Sequence, residues 1–182
     1  MMQLDDVRKI AIIGGGNMGH GCAMVFAGAG YPVGLYSRRA ETLEKAVVGM
    51  RNDLTFLAER GLGRLEDVEA TVALVKTTQD MEEAATDADF VLECVAEDMA
   101  LKQDTFQKLD QMCGPDAILA TNTSVMSPTE IASTSERRER ILGTHWWNPP
   151  FLIPLVEVVQ TEETPQWVID VTMGLHWKIG KH

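Results

Sequence analysis

The last third of the chain holds a histidine, an asparagine and a glutamate in a pattern suited to moving a proton. Residues 141–160 read ILGTHWWNPPFLIPLVEVVQ. His145 stands at the carboxyl end of a short apolar run, where open α/β sheets keep their ligands. Asn148 follows three residues later, ahead of Pro149 and Pro150, which stiffen the turn. Glu157 lies in LVEVV, and a carboxylate among Leu155, Val156, Val158 and Val159 is costly to bury without a partner. A histidine would be an economical partner, the carboxylate fixing its tautomer and stabilising the imidazolium. Taken singly, His145 reads as a structural histidine and Glu157 as a strand-edge glutamate turned to solvent. Taken together, beside a dinucleotide fold, they point to general acid–base chemistry.

The dinucleotide comes from the other end of the chain. Gly14-x-Gly16-x-x-Gly19 follows a short apolar run and opens into a helix-forming segment. In that context the first glycine permits the tight turn, the second lets the backbone approach a pyrophosphate, and the third lets helix and strand pack closely. The helix N-terminus then offers free N–H groups and a partial positive charge to the phosphates. The bland alternative is a structural turn in an α/β protein that binds something else. An acid about 20 residues further on normally accepts the ribose 2′-hydroxyl of NAD, and an arginine accommodates the 2′-phosphate of NADP. Here Tyr36-Ser37-Arg38-Arg39 stands at that place and the acid is missing. NAD is the default cofactor, and these residues admit NADP. Arg38 and Arg39 also read as solvated surface charges, or Arg38 as a stacking partner for adenine.

The elements that would position these groups alternate along the chain. Apolar runs at 9–13, 33–36, 72–77, 90–95, 117–121, 141–144 and 155–159 read as strands. Residues 18–29, 41–60, 81–85 and 101–112 read as helices, the second with an apolar stripe of Leu43, Val47, Met50, Leu54 and Leu57. Ser127-Pro128-Thr129-Glu130 has capping-box spacing with proline at the first helical position. A last helix starts at Thr164-Pro165. Strands alternating with helices predict an α/β fold, a Rossmann-type doubly wound, mostly parallel sheet flanked by helices.

Composition narrows the classes. The chain has 182 residues, 45% hydrophobic and 24% charged, which suits a soluble globular protein. Sixteen Lys and Arg against 27 Asp and Glu leave a net charge of −11, unfavourable for nucleic acid. No apolar run approaches the ~20 residues of a membrane span, and the polar, acidic N-terminus is not a signal peptide. Cys22, Cys94 and Cys113 show no metal-ligand or CxxC spacing; they read as buried thiols of a reducing, cytoplasmic compartment, and no metal is expected.

The segment GTHWWNPPFLIPLVEVV resembles the HxxNPxxxxxLVE segment of the 3-hydroxyacyl-CoA dehydrogenase family, in its NAD-binding domain. Asn122-Thr123-Ser124 is similar to that family's TNTS turn, and Cys94-Val95-Ala96-Glu97 with Lys102 to the segment after its fourth strand. The resemblance runs from Lys9 to the end. It implies that His145 takes the hydroxyl proton as hydride leaves the adjacent carbon, with Glu157 as its orienting carboxylate. Ser124 and Asn148 would bond the substrate oxygen and the nicotinamide end. Glu97 and Lys102 would line the nicotinamide ribose side, with Ala96 beside them. Gly14, Gly16, Met18 and Gly19 would hold the pyrophosphate, and Ser37 and Arg38 would meet the adenosine ribose. His20, His176 and His182 receive no role, the last two reading as surface or packing residues.

The family also implies a role in fatty acid metabolism, a small-molecule 3-hydroxyacyl-CoA substrate, and a helical C-terminal substrate and dimerisation domain outside residues 1–182. A homodimer would follow for the full-length protein, and the isolated 182 residues would be inactive. Two departures keep alternatives open. Ser37 replaces the acid many members carry. The helix after the second strand sets Asp53 and Glu59 beside Arg51 and Arg60, which does not plainly welcome CoA phosphates. A free 3-hydroxy acid, as in the carnitine and gulonate dehydrogenases of the family, is one alternative. A non-catalytic dinucleotide-binding relative, as among crystallins, is another. A 6-phosphogluconate-type enzyme would need a lysine base, for which no motif is present.

Overall fold

The computed structural model describes residues 1–182. Seven strands make one sheet: β1 Ile10–Ile13, β2 Val33–Tyr36, β3 Val75–Thr78, β4 Phe90–Glu93, β5 Ile118–Thr121, β6 Ile141–Trp146 and β7 Val156–Val159. Their order is β3-β2-β1-β4-β5-β6-β7, parallel except that β6 and β7 run antiparallel. The helices are α1 Asn17–Gly28, α2 Ala40–Glu59, α3 Val68–Ala73, α4 Met81–Ala85, α5 Met99–Met112, α6 Pro128–Ala132 and α7 Gln166–Lys178. This is the Rossmann-type doubly wound arrangement.

The central strands are continuous apolar runs because both faces of the sheet are covered. Successive side chains of β1 enter opposite cores. Ile10 and Ile12 join a cluster with Phe26 of α1, Met50 of α2 and Leu175 of α7, whereas Ala11 and Ile13 join Phe106 and Leu109 of α5 and Ile131 of α6. The chain runs from β1 outward to β2 and β3, then returns to lay β4 on the other side of β1. The carboxyl ends of β1 and β4 therefore flank the switch point at which doubly wound sheets hold ligands.

Three element boundaries depart from the sequence reading. Val72 closes α3 rather than opening a strand, and β3 begins at Val75. Val68 and Val72 are four residues apart on one buried helical face, and that packing overrides the strand preference of valine. β4 stops at Glu93, so Cys94 and Val95 turn into the cleft instead of continuing the ladder. β6 runs two residues further than expected because β7 pairs with it through Trp146, so His145 is a strand residue rather than a loop residue. Beyond α7 the chain doubles back: the Val156 N–H donates to the His182 carbonyl, and the His182 N–H to that of Pro154.

His176 on α7 is a packing residue. It is 2% exposed, and its ring stands 5.9 Å from that of Phe90 and 5.3 Å from that of Trp146. Its Nδ1 meets the Thr172 carbonyl at 2.7 Å, and Nε2 has no partner. Burial, with Lys181 adding to it, pulls its pKa from 6.5 down to about 4, so the ring is neutral. The unfolded chain takes up this proton near pH 6.5 and the folded chain only near 4. The stability this confers is complete above pH 6.5 and is lost as pH falls towards 4. Between pH 7.5 and 5 the loss amounts to about 2 kcal/mol. Urea unfolding at those two pH values should show a drop in the parent that exceeds the drop in His176→Phe by about that amount; equal drops would contradict the assignment.

Candidate active site

β6 and β7 bring His145 and Glu157 together by register alone. His145 and Glu157 are direct partners across the antiparallel pair. His145 Nδ1 lies 2.6 Å from Glu157 Oε2. A carboxylate can only accept, so Nδ1 carries the proton, and in the neutral imidazole Nε2 then keeps its lone pair. Nε2 faces Ser124 Oγ at 3.1 Å, and the serine hydroxyl donates to it. The apolar setting of LVEVV predicts a buried glutamate. Glu157 is instead half exposed, with 50% of its side chain open. The pairing is there, but β7 is the edge strand and leaves that face uncovered.

The buried glutamate is Glu93, at the end of β4. It is fully enclosed, and its carboxylate accepts from Lys102 at 2.8 and 3.0 Å, from the Thr121 hydroxyl at 2.7 Å and from the Val95 N–H at 2.6 Å. Burial raises its pKa against the pull of all three partners. Lys102, expected to line the nicotinamide ribose side, is 1% exposed beneath the cleft floor. Its ammonium reaches towards the cleft only through Glu97, at 3.6 Å. A lysine inside the first turns of α5, packed behind β4, finds the enclosed carboxylate before it finds solvent.

Glu97 in turn clamps the turn after β5. Its Oε1 accepts from the Ser124 N–H at 2.9 Å and its Oε2 from the Thr123 hydroxyl at 2.8 Å. Burial pushes Glu97 up, but these two bonds and Lys102 outweigh it and hold its carboxyl below the ordinary range. Lys102, Glu97, Ser124, His145 and Glu157 thus form one connected chain from the protein interior to the edge of the sheet.

A cavity of about 640 Å³ opens between this chain and the glycine loop. Met18, Ala96, Glu97, Ser124, His145 and Asn148 all line it, as do Asn17, Asn122 and Trp147. A second opening of about 420 Å³ reaches Ser124, His145 and Glu157 from the other side. Asn122 fixes the turn by accepting the Trp146 N–H at 2.8 Å. Cys94, read from sequence as buried, lies half-buried on the cavity wall. Its thiol is pushed well up in pKa, first by Cys22 and then by burial, so it stands protonated and is no nucleophile.

The glycine loop is shaped by close backbone approach. Gly14 has φ +121°, and a Cβ there would meet the Cys94 carbonyl oxygen at 2.5 Å. A Cβ on Gly19 would fall 1.7 Å from the Gly14 oxygen, whereas one on Gly16 would meet nothing within 4 Å. The first and third glycines are therefore forced by the fold, and the second faces open space. Ser37 follows β2, its Cβ 3.3 Å from where a Gly15 side chain would begin. Arg38 is exposed beside it.

Sequence reasoning assigned nothing to Glu93, Asn122 or Lys181. Glu93 sits in FVLECV, and the argument used for Glu157 applied to it with more force. Lys181 had no signal at all. It is buried at the penultimate position, and its ammonium donates to the Pro150 and Ile153 carbonyls, pinning the turn that carries Asn148.

Comparison with known proteins places this architecture. The family described as "3-hydroxyacyl-CoA dehydrogenase, NAD binding domain" matches residues 9–182. The chain belongs to that family. A 3-hydroxybutyryl-CoA dehydrogenase of Clostridioides difficile is 36% identical over 173 residues, 95% of this chain and 61% of the relative. The crystal structure of 3-hydroxybutyryl-CoA dehydrogenase from Escherichia coli K12 superposes with a TM-score of 0.91 at 35% identity, over 97% of this chain and 37% of that one. A solved 5-formyl-3-hydroxy-2-methylpyridine 4-carboxylic acid 5-dehydrogenase, titled an NAD+-dependent dismutase, is 33% identical with a TM-score of 0.84, over 96% of this chain and 56% of that one. The chain spans about three fifths of the length of the curated 3-hydroxybutyryl-CoA dehydrogenases it matches. No helix is long and apolar enough to cross a membrane.

The ion pair under the cleft yields a stability prediction. Lys102→Met strands an enclosed carboxylate and should cost about 3–5 kcal/mol in chemical unfolding. Adding Glu93→Leu removes the stranded charge and should recover a large part of that loss. A Lys102→Met variant as stable as the parent would show that the pair is not closed in solution.

Proposed function

We propose that this domain serves an oxidoreductase that moves hydride between the 3-hydroxyl carbon of a 3-hydroxyacyl-CoA and a nicotinamide dinucleotide. The observation that carries the reading is the placement of His145: Nδ1 lies 2.6 Å from the Glu157 carboxylate and Nε2 faces the cleft beside Ser124, the geometry of a neutral imidazole with its proton on Nδ1 and its lone pair on Nε2. The bound nicotinamide supplies the hydride acceptor. Gly16, which leaves open space, and the N-terminus of α1 would hold the dinucleotide phosphates. Met18, Ala96 and Glu97 would line its nicotinamide half.

His145 Nε2 takes the hydroxyl proton as the C–H bond breaks, leaving a ketone and an imidazolium. Glu157, 2.6 Å from Nδ1, balances that new charge without moving. In the reductive direction the same imidazolium returns the proton to the oxygen. Ser124 Oγ already shares Nε2, so a substrate hydroxyl entering there would be held between serine and histidine. Asn148, on the turn after β6, supplies an amide on the cavity wall. The rest of the relatives' length, helical in the family, would complete the substrate side and the homodimer, so these 182 residues would bind cofactor with little turnover of their own.

A free 3-hydroxy acid is the second reading, favoured by α2. Arg51 there is engaged with Glu69 at 2.8 Å, Arg60 lies over the Phe56 ring at 3.5 Å, and Asp53 holds His20 at 3.2 Å. None of these offers a free cation cluster to CoA phosphates. Assays with 3-hydroxybutyryl-CoA and with free 3-hydroxybutyrate separate the two substrates. In the full-length protein, His145→Gln should keep NADH affinity within about twofold and lower kcat by about 10²–10⁴. Near-normal turnover in a folded His145→Gln protein would overturn the base assignment.

A further inference from the structure

We infer that the adenosine end of the cleft is built to take a 2′-phosphorylated dinucleotide, with Ser37 and Arg38 as the residues that recognise the phosphate. The inference rests on the dinucleotide reading above and adds which dinucleotide the cleft prefers.

In a doubly wound sheet the residue just past the second strand faces the adenosine ribose. A carboxylate there accepts the 2′-hydroxyl and repels a 2′-phosphate. β2 ends at Tyr36, and the next residue is Ser37. Its N–H bonds the Thr78 carbonyl at 3.2 Å, which keeps it in line with the sheet. Its side chain packs against Gly15, within the loop that carries the pyrophosphate. The ribose position is thus occupied by a neutral hydroxyl that can donate to a phosphate oxygen.

Charge accounts for the rest. The chain has 27 carboxylates and only 16 Lys and Arg, so most of its arginines are already engaged. Arg51 is held by Glu69, Arg64 by Asp67, and Arg137 and Arg140 by Asp110. Arg38 and Arg39 sit exposed with no carboxylate within ion-pair distance. Glu41, the acid closest in sequence, is bonded to Lys45 at 2.6 Å and feels Arg39 only as a weaker, more distant charge. The Gln79 amide donates to the Arg38 carbonyl at 2.9 Å and ties the turn after β2 to the end of β3. Two adjacent arginines left unpaired in an acidic chain, at the end of the strand that meets the ribose, match a dianionic group. A guanidinium can bind two phosphate oxygens at once through two parallel N–H bonds, a planar fork that a lysine ammonium lacks.

The test is isothermal titration of the chain with NADH and NADPH at fixed ionic strength. The parent should bind NADPH at least as tightly as NADH. Ser37→Asp should raise the NADPH-to-NADH ratio of Kd values by about ten- to a hundredfold, the effect of a charge-assisted contact replaced by a repulsion. Arg38→Ala should raise the same ratio by about tenfold, and its NADPH binding should depend less steeply on salt. A parent that binds NADH and ignores NADPH would overturn this inference and leave the dinucleotide reading standing. A folded parent that binds neither would overturn both.

Discussion

The antiparallel pairing of β7 on β6 is the constraint on which the site depends. Side chains alternate along a strand with a period of two, so a slip of one residue would turn every β7 side chain to the opposite face. In the observed register His145 stands opposite Glu157, and Trp146 opposite Val156. The first pair faces the cleft; Trp146 and Val156 are buried in the core against Phe26 and Leu142. The apolar members of the alternation thereby lock the polar ones. No loop has to be ordered to align the histidine with its carboxylate. The return of the chain end adds a second lock, since Lys181 and His182 grip the 150–156 segment between the two strands.

Behind this edge lies a sequence of charges of graded burial. Glu93 and Lys102 are enclosed, Glu97 is partly open, and Glu157 is half open. The enclosed pair neutralises itself and anchors the carboxyl end of β4 to α5. Glu97 spends its carboxylate on the backbone and hydroxyl of the 123–124 turn, which sets Ser124 at His145. The outermost carboxylate is the one left to answer a change of charge on the histidine. In the proposed mechanism a proton arriving at Nε2 would be met by Glu157 across the sheet edge, while the inner acids are already satisfied.

The fold was legible because its constraints are local. Gly14 and Gly19 are needed where two backbone segments approach, and such glycines announce themselves in any strand–turn–helix. Ser127 with Pro128 marks α6 in the same way, the serine oxygen accepting from the Glu130 N–H. Reading failed where long-range packing decided. Val72 went to a helix because Val68 shares its face. The family resemblance puts Lys102 at the cleft, whereas FVLECV already marks Glu93, nine residues earlier, as a buried carboxylate in need of a partner, and the fold gives Lys102 to it. Glu157 was paired with His145 for an apolar setting that the edge strand does not provide, so the partner was right and the reason incomplete. Lys181 could not be found at all, because its value lies in two carbonyls about thirty residues away that only the folded chain brings near.

The central claim is that Glu157 holds His145 with the proton on Nδ1 and the lone pair on Nε2. Nitrogen-15 NMR of the histidine side chains above neutral pH observes this directly. The account predicts that His145 shows a protonated Nδ1 and an unprotonated Nε2 in the parent, and that Glu157→Leu releases it to the Nε2–H form that free imidazole side chains favour. A parent in which His145 already carries its proton on Nε2 would contradict the account, since the nitrogen facing Ser124 would then be a donor and not a base.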